Sequence, residues 1–473
     1  MNQSGNSFWD RIPLPALIGI WLVAILVGAY LVVSAFFSAP AKPADPQVAG
    51  ANTPTLIANA PAPTVDASVP TPVVIGPTIA PSSSEPTLPA PTTAPSGSQP
   101  TQPPPTQAPS GPQPTVPPLL DPGMEYGIQS NALDNTEYSL DLIKDRLLLG
   151  WVKQQLKWGV FASSGQMDWS GFDHVVDAAS ARDLRVLLSI VTAPQWTRSA
   201  EGIDGPPDDL NAYAQFVGAV VDRYKGKIHA IEVWNEQNID AEWKTNPQAV
   251  SPERYIEMLR LTYQVVKSKD PNIMVISGAL SPTGYFQGGC SAAGCDDQPY
   301  LQRMVALGFL QYADCVGVHA NGINFPPDKR HDEGYNDPTA KFRGPFDNPH
   351  PSWSFRSTLE DYNRIVGGQK KLCVTEFGWA SYEGISDTPK PGYEYGTDNT
   401  AQEQYDWIDQ AFRLMRQWGF VKLAILFNLD FAQKSPEGAM DRAAPWSITD
   451  LNGAERLSFR AVRRFMKEVL GIP

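Results

Sequence analysis

From residue 124 onward the chain repeats one unit eight times: a short apolar run followed by a helical pattern. The runs are MEYGIQS (124–130), WVKQQLKW (151–158), RVLLSIV (185–191) and KIHAIEVWNE (227–236). They continue with IMVISGAL (273–280), DCVGVHAN (314–321), KLCVTEFGW (371–379) and VKLAILFNLDF (421–431). Between them, segment 208–226 spaces its apolar residues by three and four and stops at Gly226. Segment 251–269 has Ser251 as N-cap and Pro252 at the first helical position. Segment 400–419 opens with Thr400 and Glu403, a capping box. Strands that alternate with helices imply a parallel α/β fold. The mean repeat is about 42 residues, which predicts an expanded (β/α)8 TIM barrel. A doubly wound open sheet is the alternative. Such a sheet announces a nucleotide with a Gly-rich turn after its first strand, and IQSNALD is not one.

Loop lengths locate the working face. Links from helix to strand are short: KGK, GGQK and QWGF. Links from strand to helix are long after the fifth to eighth strands, at 281–298, 322–353, 380–399 and 432–456. In a barrel the long loops build a site and the short ones only close the ring.

The first 122 residues have another character. Residues 14–37 carry no charge over 24 positions, long enough at ~1.5 Å per residue to cross a bilayer core of ~30 Å. They predict a single-pass signal anchor, with 1–13 as a short cytoplasmic tail. A cleaved signal peptide, cut near FSAPA (37–41), is the alternative. Residues 38–122 hold 24 of the 45 prolines, mixed with Thr, Ser, Ala and Gln. Such a stretch cannot bury a core and reads as a disordered, PPII-rich stalk. An anchor plus a stalk places the globular domain, 123–473, outside the cell membrane. The net charge of −13, with no basic stripe, argues against a nucleic-acid partner. A monomer is expected. Of the four cysteines, Cys290 and Cys295 bracket a short Gly/Ala loop and are predicted to form a disulfide. Cys315 and Cys373 lie inside strand patterns and read as small buried hydrophobes. No further Cys/His pair suggests a metal site.

The chemistry sits at strand ends. IEVWNEQN places Asn235 and Glu236 at the C-terminal end of the fourth strand, and KLCVTEFGW places Glu376 at that of the seventh. Either glutamate alone reads as an ordinary surface carboxylate. Two carboxyls facing each other across a barrel mouth are what glycosidic cleavage needs, one to protonate the leaving oxygen and one at the anomeric carbon. His319 ends the sixth strand, placed to orient a glutamate or bond a sugar hydroxyl, or simply to serve as a structural histidine. Trp158, Trp196 and Trp379 end the second, third and seventh strands; they are read as sugar-stacking platforms or as core packing. Gln129 and Asn321 are further hydroxyl partners.

WNEQN and TEFGW resemble the signatures of the clan of (β/α)8 retaining glycoside hydrolases, most of all families 39 and 5. The resemblance spans roughly 124–470. It implies Glu236 as acid/base, Glu376 as nucleophile, Asn235 on the sugar 2-hydroxyl, and no metal or organic cofactor. The implied substrate is a β-linked polysaccharide or oligosaccharide. Two departures stand out. Where many family 5 members carry an Arg on the second strand, this chain offers Lys153 or Lys157. Where many clan members end the eighth strand on Trp, ILFNLDF offers Asn428 and Asp430, and Trp446 is the candidate to fill that place. The same sequence is compatible with a transglycosylase, or with a glycan-binding or structural surface protein that kept the barrel without the chemistry.

Overall fold

Each apolar run becomes one strand of a single parallel sheet in the computed structural model, which describes residues 123–286, 289–337 and 349–473. The strands are β1 (Glu125–Gln129), β2 (Trp151–Lys157), β3 (Arg185–Val191), β4 (Ala230–Val233), β5 (Met274–Ser277), β6 (Val316–Gly322), β7 (Leu372–Trp379) and β8 (Val421–Leu426). They hydrogen-bond in the order β5-β4-β3-β2-β1-β8-β7-β6. A parallel bridge from Ile276 to Cys315 joins the two ends of that order, so the sheet closes on itself. One main helix follows each strand: α1 (Thr136–Asp141), α2 (Ser170–Ala181), α3 (Leu210–Arg223), α4 (Pro252–Lys269), α5 (Asp297–Ala306), α6 (Phe355–Ile365), α7 (Ala401–Trp418) and α8 (Leu457–Leu470), with short extra turns at Trp158–Phe161 and Phe431–Lys434. The Ser251 cap with Pro252 starts α4, and the Thr400–Glu403 capping box starts α7. The apolar run 14–37 and the stalk 38–122 lie outside the described residues. Among the described residues no helix is long and apolar enough to cross a membrane.

The barrel interior is layered. Its lower part is apolar, with Trp151, Leu187, Ala230, Ile276, Leu423 and Ile425 packed together. Cys315 and Cys373 belong to this layer and are bonded to each other, with Cα atoms 5.8 Å apart. The expectation of two separate buried thiols is therefore corrected: β6 and β7 are neighbours, and their pairing brings the sulfurs together. Cys290 and Cys295 are bonded as expected from their loop.

One position above the apolar layer on alternate strands, the interior turns polar. Lys153, two residues past Trp151, and Glu232, two past Ala230, are both fully buried. Side chains that alternate across a strand put all four residues on the inner face.

The alternation breaks on β7. Cys373 faces inward, and Thr375 does too, donating to Glu232 Oε1 at 2.6 Å. The pairing with β6 then slips: Val318 faces Val374, whereas His319 faces Glu376. The pairing with β8 slips in the same place. Such a bulge re-aims the side chains that follow it. Glu376 turns into the mouth, while Phe377 and Trp379 turn out toward the helices, against Phe412 and Trp407.

Candidate active site

The fourth strand ends in a similar break. After Val233 the chain takes positive φ at Trp234 (75°) and again at Glu236 (47°). That conformation is uncommon for a residue with a Cβ and costs on the order of 1–3 kcal/mol. Packing holds it. The Trp234 indole is buried against Tyr213 and Trp243 and donates to the Glu242 carbonyl at 2.9 Å. The Glu236 amide donates to the Ala279 carbonyl at 2.8 Å. Trp234 is thereby turned into the wall, leaving Asn235 and Glu236 to line the cleft.

The two glutamates meet at one imidazole. His319 is fully buried, with Nδ1 3.0 Å from Glu236 Oε1 and Nε2 3.8 Å from Glu376 Oε1. Below Glu376, Lys153 Nζ donates to Glu376 Oε1 at 3.1 Å and lies 3.1 Å from Glu232 Oε2. It also donates to the Thr375 carbonyl at 3.3 Å.

This asymmetry separates the protonation states of the glutamates. Burial pushes the Glu236 carboxyl up; the bond and charge of His319 pull it back only in part, and the charge of Glu376 adds to the rise. Burial also pushes Glu376 up, but His319 and Lys153 outweigh it and leave its carboxyl below the usual range. Burial lowers His319, and the charge of Glu376 and the bond to Glu236 more than reverse that. The arrangement drives the two carboxyls apart, Glu236 upward and Glu376 downward. Two carboxyls with pKa values driven apart are the signature of an acid/base assignment.

The cleft has a volume of about 290 Å³, and the loops after β2, β3, β4, β7 and β8 contribute to it. Gln129, Asn321 and Trp446 line it together with the two glutamates and Asn235. The side-chain oxygens of Gln129, Asn235 and Asn321 are buried and have no hydrogen-bond partner among the described residues. Trp446 packs edge-on against Tyr393 and Phe427, two further cleft residues.

Several expected binders sit elsewhere. Trp158 stacks on Phe216 within the outer core. Trp379 is fully buried among Phe355 and Trp407, its indole donating to the Phe325 carbonyl, because the β7 bulge turned it outward. Trp196 is exposed but stands outside the cleft, its indole donating to the Ala162 carbonyl at 3.2 Å. Asn428 is buried and spends its amide internally: Nδ2 donates to the Ala443 carbonyl, and Oδ1 accepts from the Phe431 amide and the Ser447 hydroxyl. His319 lies beneath the cleft, in contact with the glutamates.

Other cleft residues were not anticipated. Gln155, Asp204, Glu242, Tyr393 and Arg442 all line it. Burial, then the charge of Glu236, holds the Glu242 carboxyl well above the usual range. Of the two lysines offered on the second strand, Lys153 contacts Glu376 and Lys157 lines the cleft. Among the described residues no group of three or more His, Cys, Asp or Glu is arranged to hold a metal ion.

Known proteins share this architecture. No family model matches the chain. It is 22% identical over 308 residues to endo-1,4-beta-xylanase C of Paenibacillus barcinonensis, a match that spans 61% of this chain and 23% of that protein. A family 39 glycoside hydrolase from Bacteroides cellulosilyticus WH2 superposes with a TM-score of 0.50 and 16% identity, over 72% of this chain and 63% of that one. A glucosidase from Croceicoccus marinus does so with a TM-score of 0.50 and 14% identity, over 73% and 68%. The chain thus resembles (β/α)8 glycoside hydrolases in fold, and it spans under a quarter of the length of the xylanase it matches.

Proposed function

We propose that the chain is a retaining glycoside hydrolase acting on a β-linked polysaccharide or oligosaccharide. The observation that carries this reading is the pair Glu236 and Glu376, both beside His319 and with their carboxyls shifted in opposite directions. Carboxyls about 5–5.5 Å apart suit a double displacement, whereas inversion needs room for a water between them. The placement of Glu236 and Glu376 at the ends of β4 and β7, as in the retaining clan that WNEQN and TEFGW resemble, supports the closer spacing.

In the first step Glu236 gives its proton to the glycosidic oxygen as Glu376 attacks the anomeric carbon. The bond to the leaving sugar breaks, and a glycosyl ester forms on Glu376. That ester is neutral, so Glu236 no longer faces a negative neighbour and gives up its proton more readily. It then takes a proton from water, whose oxygen attacks the same carbon and releases Glu376. Asn235 bonds a ring hydroxyl in this reading, which its buried amide oxygen, without a partner among the described residues, supports.

The xylanase relative makes β-1,4-xylan the first substrate to test. The uncharged run 14–37 and the Pro-rich stalk support an enzyme tethered outside the cell membrane, where polymeric glycans are found.

The anomer first released, read by NMR before mutarotation, tests the mechanism. Retention is expected, and inversion would overturn it. Glu376→Ala should abolish turnover of an aryl β-glycoside, and added azide should restore it with inverted product. Full activity in Glu376→Ala would overturn the assignment.

A further inference from the structure

The cleft does not end at the glutamates. A second cavity of about 400 Å³ adjoins it at the exits of β1, β2 and β8. Gln129, Gln155, Lys157, Val160, Phe431 and Asp441 line both cavities, so the two form one groove. Neither Glu236 nor Glu376 lines the second part, which runs on over Ser130 and Asn131.

We propose that this second cavity binds the sugar next to the one held over the glutamates, on the retained side of the scissile bond. The inference rests on the glycosidase reading above and specifies its substrate: an oligosaccharide bound by at least two units on that side, which makes the enzyme a groove-binding depolymerase that does not release single terminal sugars.

Three observations carry it. The first is chemical. A pyranose shows hydroxyls at its rim and C–H bonds on its faces. The junction offers amide and ammonium groups from Gln129, Gln155 and Lys157, together with apolar surface from Phe431 and Val160. Gln129 is only 3% exposed, and its amide oxygen has no partner among the described residues. A buried acceptor left unmade costs free energy until a ligand donor meets it.

The second is rigidity. Asp430 is buried beneath the second cavity and accepts from the Ser130 hydroxyl (2.8 Å), the Asn131 amide (3.0 Å) and the Ser139 hydroxyl (2.8 Å). It pairs with Lys434 at 2.8 Å, and Lys434 in turn donates to the Asn131 carbonyl at 2.8 Å. This network ties the exit of β1 to the exit of β8. The site is shaped before ligand arrives, so little ordering cost is left to binding.

The third is direction. Glu236 protonates the departing oxygen, so the leaving sugar lies toward β4. The second cavity opens over β1, β2 and β8, away from β4, and so receives the sugar that stays on the enzyme.

The test compares para-nitrophenyl β-xyloside with para-nitrophenyl β-xylobioside, and the matching glucose pair. Each pair shares a leaving group and differs only by one retained-side sugar. For the pair that fits, kcat/KM should be at least about tenfold higher for the disaccharide, one added subsite contact of modest strength. Asn131→Trp, which fills only the second cavity, should bring that ratio toward one, and a wild-type melting curve would show that the variant folds. Equal rates on both members of every hydrolysed pair, or a ratio untouched by a folded Asn131→Trp, would overturn the subsite and leave the glycosidase reading intact. Failure to hydrolyse any of the four substrates, together with no action on polymeric xylan or β-glucan, would overturn both.

Discussion

Lys153→Met is the sharpest probe of what lowers the Glu376 carboxyl. The ammonium is fully buried and lies 3.1 Å from a carboxyl oxygen of Glu376 and 3.1 Å from one of Glu232. At that distance and an effective dielectric of ~20, each pair is worth about 5 kcal/mol before desolvation. Desolvation of the lysine takes back much of this, but methionine removes the ammonium from both buried carboxyls and leaves Glu376 with His319 alone. Breaking a buried pair in this way costs about 3–5 kcal/mol. Urea unfolding should therefore show a loss in that range. The kinetic signature is more specific. The charge of His319, then the charge and bond of Lys153, hold the Glu376 carboxyl below the usual range, so without Lys153 the acid limb of kcat/KM against pH should move to higher pH. The alkaline limb, set by Glu236, should stay, because Lys153 does not touch Glu236. The double variant Lys153→Met with Glu232→Gln removes one orphaned carboxylate. It should recover part of the stability while the acid limb remains displaced. A folded Lys153→Met enzyme whose acid limb has not moved would refute the reasoning, because the ammonium would then be merely structural.

Other expectations follow from the same geometry. His319 lowers both glutamates, so His319→Gln should move both limbs of the pH profile upward, whereas Lys153→Met moves one; a profile shifted downward would contradict the assignment. The Cys315–Cys373 bond closes a separation of 58 residues, and chain entropy puts its contribution at about 4 kcal/mol, so Cys315→Ala with Cys373→Ala should lower the urea midpoint accordingly. Burial raises the Asp297 carboxyl to about 7 despite bonds from Ser352 and Tyr362. Its folded pKa lies above the unfolded value, so its contribution is full below about pH 4 and is lost as pH rises through about 7. Wild type should therefore lose roughly 3 kcal/mol more than Asp297→Asn between about pH 5 and 8, measured by urea unfolding at each pH.

All eight strands and the caps of α4 and α7 were legible because each rests on local chemistry. A fully buried parallel strand is a short continuous apolar run, and a cap is a residue with a side-chain acceptor at a fixed offset. Lys153 and Glu232 were visible as anomalies, a lysine and a glutamate inside runs that should be apolar. Their partnership was not legible, because it depends on which strands face each other across the ring. The same holds for Cys315 and Cys373, which lie 58 residues apart and meet only because β6 and β7 pair.

The tryptophans show where the reading of strand ends fails. Trp379 and Glu376 are three residues apart, so on an unbroken strand they would point to opposite faces. Cys373 and Thr375 face inward, and regular alternation would carry Trp379 into the mouth and Glu376 out toward the helices. The slip at Val318/His319 and Val374/Phe377 reverses that outcome. On β4 the positive φ of Trp234 does the equivalent work, sending the indole into the wall and the next two side chains into the cleft. In both places a large aromatic ring is buried behind the sheet beside a glutamate that faces the opening. The ring anchors the irregular backbone, and the irregular backbone aims the carboxyl. The tryptophans of WNE and EFGW thus belong to the same device as the glutamates without touching the cleft. Replacing Trp234 with Leu should therefore lower kcat on an aryl β-glycoside, because it loosens Glu236, with only a smaller rise in KM through the neighbouring Asn235. A rise in KM at constant kcat would show that the indole acts through the cleft instead.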